Sequence, residues 1–177
     1  MNTETGALAF IAENTQVQKI SFFTLNAAGN RIYAVYPKSK QGTLGAYEIE
    51  ETGQSSFLGE LSSDGIGPCH VSDAAHANRV LVANYAGGSI QAFQTDDSGK
   101  PLSIAQSIQH EGSSVNESRQ KSAHPHMIVP TPNGKYVFVP DLGTDQIMSY
   151  TWAGEQLVPA EVPFVRFSPG SGPRHFD

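Results

Sequence analysis

Four kinds of short segment recur along this chain in a fixed order, and that recurrence restricts the fold more than any single motif. "GNRIYAVY" (29–36), "ANRVLVANY" (77–85) and "NGKYVFVPDL" (133–142) each pass from a turn through a basic residue into an apolar run. Their basic residues Arg31, Arg79 and Lys135 are 48 and 56 residues apart. Each is followed by an alternating segment with an aromatic near its end: "GTLGAYEIE" (Tyr47), "GGSIQAFQTD" (Phe93) and "TDQIMSYTW" (Tyr150). A third series opens on Gly6, Gly53, Gly99 and Gly154. The fourth is "GPCHVS" (67–72), "HPHMIV" (124–129) and "GPRHFD" (172–177), with a degenerate copy in "ISFFTL" (20–25).

Runs rich in Val, Ile, Tyr and Phe, bounded by Gly, Pro, Asn and Asp, are strand signals. Helical periodicity is weak throughout. Four short strands per unit, at about 40–50 residues per unit, predict an all-β chain built of four-stranded antiparallel propeller blades. The predicted units are an outer strand of a preceding blade at 6–13, blades at 20–61, 68–110 and 125–164, and the first strand of a further blade at 173–177. About three and a half blades cannot close a ring of about 4–8. The expectation is therefore that further blades or further copies complete it, and that the open edges favour self-association.

Composition narrows the function classes. A chain of 177 residues with 38% hydrophobic and 16% charged residues is globular rather than disordered. A net charge of −6 argues against nucleic acid, which needs a basic face, but leaves room for a small anion held by a local cluster of Arg and His. One cysteine, Cys69, rules out an intrachain disulfide. "MNTETGALAF" has neither the basic region nor the apolar stretch of a signal peptide, and no segment is apolar enough to span a membrane as a helix, so the expected location is cytoplasmic. Asn116-Glu117-Ser118 matches a glycosylation sequon, which in that setting is a chance match.

In an antiparallel meander the loops alternate between two faces. The loop between blades and the loop joining the second and third strands of a blade share one face. Cys69, His126 and Arg174, each preceded by a proline (Pro68, Pro125, Pro173), open the innermost strands just after that face. Period-2 alternation gives them one orientation and turns His70, Met127 and His175 the other way, with His70 and His175 packed between blades. "NY" (Asn84, Tyr85) and "DL" (Asp141, Leu142) reach the same face, and the long stretch 110–124 could cover it.

These residues resemble a known family. "GPCHVS…RVLVANYAGGSIQAF", "VNESRQKSAHPHMIVPTPNGKYVFVPDLGTDQIMSY" and "GSGPRHF" are similar to the seven-bladed β-propeller lactonases. That family includes bacterial 6-phosphogluconolactonases of the propeller type and fungal carboxy-muconate lactonising enzymes. The resemblance runs over nearly the whole chain, which corresponds to roughly the first half of a family member. It implies hydrolysis of a small anionic sugar lactone, foremost 6-phosphogluconolactone of the pentose phosphate route, without a cofactor. It also carries a site histidine onto His126 and a site arginine onto Arg174; an acidic residue and a second arginine of the family's site fall past Asp177.

The chemistry agrees with those residue types. Lactone hydrolysis needs a water relieved of a proton and a stabilised tetrahedral oxyanion. A neutral imidazole at His126 suits the first task, and the guanidinium of Arg174 suits the second or holds a phosphate or carboxylate. His124, Asn84, Asp141 and Cys69 are the candidate substrate-binding residues; for His124, Asn84 and Asp141 a turn-capping role competes evenly, and for Cys69 a small channel-lining role outweighs a nucleophilic one. Zinc bound by His124, His126, His175 and Cys69 is a rival that the H-P-H spacing disfavours, so no metal is assigned. Two other functions stay open: a muconate-type cycloisomerase, and a catalytically incomplete propeller that only binds. Tyr33, Tyr47, Phe93, Tyr136, Phe138 and Tyr150 are expected in the inter-blade core.

Overall fold

The computed structural model describes residues 3–15, 19–38 and 40–177. Among them, twelve strands form three four-stranded antiparallel sheets, each in chain order. The first sheet is β1 (Phe22–Leu25), β2 (Arg31–Lys38), β3 (Gln41–Ile49) and β4 (Ser55–Ser62). The second is β5 (Pro68–Ala74), β6 (Arg79–Asn84), β7 (Ser89–Thr95) and β8 (Pro101–Gln109). The third is β9 (Val129–Pro130), β10 (Tyr136–Asp141), β11 (Gln146–Ala153) and β12 (Gln156–Arg166). This is the expected blade architecture, with one sheet per repeat.

The strand sequences follow from where each strand lies. β6, "RVLVAN", is buried at every position, because a strand in the middle of a blade is covered on both faces. Its alternation sends Val80 and Val82 toward the first sheet, where they join Val35, Leu44 and Phe93. Leu81 and Ala83 turn toward the third sheet and join Val137, Val139 and Tyr150. Each seam between blades is thus a shared core, and the first sheet also buries a small cluster of its own, Ala34, Tyr36 and Tyr47. Fully burying a Val or Leu contributes about 1.5–3 kcal/mol, so the seams supply most of the apolar stabilisation. The outer strand β8 instead alternates between half-buried and exposed residues.

Tyr47, Phe93 and Tyr150, the aromatics that end the second repeat series, sit beside a register shift between the third and fourth strands of their sheets. Such bulges sharpen the twist of a blade. Tyr33, Phe93 and Tyr150 are buried in the seams as expected, whereas Tyr47 is buried with Ala34 and Tyr36 within the first sheet. Tyr136 and Phe138 are only partly buried. Phe138 lines a cavity of about 750 Å³ on the open side of the third sheet, with Met127, Ile147, Val165, Phe167 and Phe176.

The loop faces are as the meander requires. Tyr85 N–H, after β6, donates to Gly67 O in the β4–β5 loop at 2.8 Å. Leu142 N–H, after β10, donates to His124 O in the β8–β9 loop at 3.0 Å. On the opposite face Arg31 Nη2 donates to Asp97 O at 2.8 Å.

Both terminal strands are corrected. Residues 7–13 and 173–177 carry no regular structure. Their composition suits a strand, but a strand forms only where a neighbour completes the ladder. None of the described strands pairs with either segment. Within the described residues no helix is long and apolar enough to cross a membrane.

Candidate active site

The innermost strand of the third blade is nearly absent, and this creates the site. β9 keeps two residues of ladder, with an isolated bridge from Pro125 to Asp141. The pyrrolidine nitrogen of Pro125 has no hydrogen to donate to a ladder. The segment is fixed by other bonds. His126 N–H donates to Pro140 O at 2.9 Å. Asp141 accepts from His124 N–H at 2.7 Å and from Gly143 N–H at 3.0 Å. Its second oxygen meets His110 Nδ1 at 2.8 Å, and His110 Nε2 meets the Tyr150 hydroxyl at 2.9 Å. This buried Asp–His–Tyr chain supports the His124–His126 segment from beneath.

Above it, His126 and Arg174 meet although 48 residues separate them in sequence. Arg174 donates from Nε at 3.1 Å and from Nη2 at 2.7 Å to His126 Nε2. Since Nε2 accepts, the imidazole proton is on Nδ1, which is buried and has no partner. Burial, then the charges of Arg174 and His175, push the His126 pKa down to about 4; Arg119 adds to the same trend. His126 is therefore neutral at pH 7.

Tyr85 and the other histidines wall the site. The Tyr85 ring stacks on His124 at 4.5 Å and meets His126 edge-on at 5.4 Å. His124 Nδ1 bonds to Tyr85 O at 2.8 Å, so His124 both ties the loop and forms wall. His175 is exposed and edge-on to His126 at 4.9 Å, not packed between blades. His70 is packed between blades, stacked on Phe22 at 4.3 Å. Among the described residues no three His, Cys, Asp or Glu side chains are grouped to hold a metal ion.

Strict alternation fails at Cys69 because the β5–β6 register shifts between Pro68 and His70. The bulge turns Cys69 into the seam, where its thiol faces the carbonyls of Ala83, Pro125 and His126. Burial raises its pKa to about 12, so it is no thiolate nucleophile. Asn84 and Asp141 are fully buried. Asn84 bonds to Ser63, Ser89 and Gln91, and Asp141 is occupied as described. Asp141 caps its turn while Asn84 ties together the side chains of Ser63, Ser89 and Gln91, so the polar side-chain atoms of both are occupied within the protein, which corrects their place among the substrate-binding candidates.

Asp145 matters more than the sequence suggested. It sits at φ 56°, a left-handed conformation that Asp tolerates. Its carboxylate accepts from Gly170 N–H at 2.7 Å, Gly172 N–H at 2.7 Å, Gln120 Nε2 at 2.7 Å and the Ser114 hydroxyl. It therefore ties the 110–124 loop and the 168–172 turn together, just ahead of Arg174. Burial raises the Asp145 pKa, but the bonds from Ser114, Gly172, Gly170 and Gln120 outweigh it and hold it at about 2. The folded-state value lies below the usual carboxylate value, so the stabilisation is complete above about pH 4 and is lost as pH falls toward 2. Asp145→Ala strands two backbone N–H groups and is expected to cost about 3 kcal/mol. Urea denaturation at pH 7 checks this, and at pH 2 the gap to the parent should narrow; an equal gap at both pH values contradicts the assignment.

Comparison with known proteins gives the arrangement a context. A family model described as "Lactonase, 7-bladed beta-propeller" matches residues 1–177. The 6-phosphogluconolactonase of Bacillus subtilis is 32% identical over 176 residues, covering 99% of this chain and 50% of that protein. The 6-phosphogluconolactonase of Formosa agariphila is 27% identical over 181 residues, with 99% and 51% covered. The crystal structure of a Bacteroides fragilis protein, described as a candidate 6-phosphogluconolactonase, superposes with a TM-score of 0.90 at 30% identity, covering 97% of this chain and 50% of that one. The periplasmic gluconolactonase of Pseudomonas aeruginosa gives 0.79 at 27% identity, with 86% and 46% covered. The chain spans about half the length of the curated relatives it matches.

Proposed function

This chain belongs to the seven-bladed β-propeller lactonase family, and from that premise we propose that it supplies the His126–Arg174 half of a site that hydrolyses a sugar lactone, foremost 6-phospho-D-glucono-1,5-lactone. The observation that carries the reading is the direct bond between Arg174 and His126 Nε2. In that resting pair the guanidinium occupies the lone pair a base would need, and it depresses the imidazole pKa. An anionic substrate changes both. It draws Arg174 off Nε2, and its negative charge beside the ring raises the pKa toward the range useful for general-base catalysis.

The steps then follow. His126 Nε2 takes a proton from water as the water oxygen bonds to the lactone carbonyl carbon. Charge develops on the carbonyl oxygen, where Arg174 donates to it. The intermediate collapses by breaking the bond between the carbonyl carbon and the ring oxygen. The ring oxygen leaves with the proton from the His126 imidazolium, giving a free hydroxyl and a carboxylic acid that ionises in water. Relatives are named for both phosphorylated and unphosphorylated lactones, so family membership alone leaves the phosphate undecided.

The test is proton release from freshly made 6-phosphogluconolactone at pH 7, measured against spontaneous hydrolysis. The expected result is a rate that rises in proportion to protein concentration. A rate equal to the spontaneous one at all protein concentrations removes the proposal for this chain.

A further inference from the structure

The 110–124 loop brings a second guanidinium to the same mouth. Its closing turn is tightly built. Asn116 O accepts from Arg119 N–H at 3.0 Å and from Gln120 N–H at 2.7 Å, and Asn116 Oδ1 accepts from Ser118. Gln120, 1% exposed, donates to Leu142 O at 2.8 Å and to Asp145. With its neighbour anchored this way, Arg119 extends over the site and donates from Nη2 to the Tyr85 hydroxyl at 3.1 Å. Tyr85 is the ring that meets His126 edge-on, and the Arg119 charge reaches the imidazole strongly enough to lower its pKa.

Among the described residues the Lys and Arg ion pairs are Lys38–Glu60 and Arg79–Glu155. Neither Arg119 nor Arg174 appears in them. Two guanidiniums without carboxylate partners flank one neutral imidazole. They repel each other and carry no compensating charge, an arrangement that an incoming anion relieves. Arg174 already holds His126 Nε2 and so lies at the reacting carbonyl. Arg119 reaches the hydroxyl of Tyr85, whose ring meets His126 edge-on at 5.4 Å, so the two guanidiniums approach the imidazole through different partners.

We propose that Arg119 reads the phosphate of the substrate, and that the 110–124 loop thereby selects phosphorylated over unphosphorylated lactones. The proposal rests on the reading of His126 and Arg174 as a lactone site. A guanidinium fork matches two phosphate oxygens, and Tyr85 gives it a fixed resting position. The Arg119 side chain is exposed, so solvent limits the expected effect to about tenfold.

The experiment compares kcat/KM for 6-phosphogluconolactone with kcat/KM for glucono-1,5-lactone. The parent should prefer the phosphorylated lactone, and Arg119→Ala should lower that ratio about tenfold, mainly through KM for the phosphorylated substrate. Arg119→Lys should keep part of the preference. A ratio unchanged in Arg119→Ala overturns the proposal and leaves the lactonase reading standing. If neither lactone turns over, the lactonase reading fails, and calorimetry decides this inference separately. Parent protein that binds 6-phosphogluconate more tightly than gluconate, with the difference lost in Arg119→Ala, supports it; equal or absent binding overturns it.

Discussion

His126→Ala is expected to lower kcat for lactone hydrolysis by about 10²–10⁴, the range for removing a positioned general base. His126→Gln refines the measurement. Its side-chain oxygen can still accept from Arg174, but it cannot carry a proton through the reaction, so its kcat should fall nearly as far while KM changes little. The pH dependence offers a second check. The base must be unprotonated, so kcat/KM should rise through the free-protein value near 4 and then level off. In the complex the substrate's charge favours the protonated ring, so the corresponding limb of kcat should lie at higher pH. Activity within a few-fold of the parent in His126→Gln, or identical limbs in both profiles, would remove His126 as the base.

Arg174→Ala is expected to lower kcat/KM by about 10²–10³, the range seen when one donor to a developing oxyanion is removed. It should also act on its neighbour. With the guanidinium gone, one of the charges that depress the His126 pKa is lost, so the imidazole should titrate above 4. Proton NMR of the His126 ring through a pH titration reads this without any substrate. Arg174→Lys keeps the positive charge without the two-pronged geometry and should fall between. An Arg174→Ala protein whose His126 titration is unmoved would mean that the contact at 2.7 Å is not formed in solution.

Much of this architecture can be read from the sequence because each blade repeats its own punctuation. The basic residue at the start of β2 and β6 and just before β10, and the aromatic near the end of β3, β7 and β11, fall at equivalent places. The His126–Arg174 pairing was accessible because Pro125 and Pro173 mark the same step in two repeats. Cys69 has the same mark, yet a register shift turns it into the seam, and a bulge leaves no sign in composition. Asn84 and Asp141 reach the right face, but which way they resolve between capping and binding depends on partners elsewhere in the chain. Arg119 and Asp145 are missed, and Tyr85 is placed on the right face without a role, for a related reason. Their roles come from one loop lying on another, and no periodicity records that. The terminal segments err in the opposite direction: their residues suit strands, but pairing is a property of neighbours.

The 110–124 loop meets the sheets mainly through polar anchors, at Tyr85, at residues 141–145 and, through His110, at the Tyr150 hydroxyl, while most of the apolar seam residues lie outside these contacts. Scaffold durability and ligand choice are therefore under separate control. A descendant of this protein could exchange the loop and admit a different sugar acid without repacking a single blade, and a heat-hardened descendant could tighten its seams without altering what it accepts.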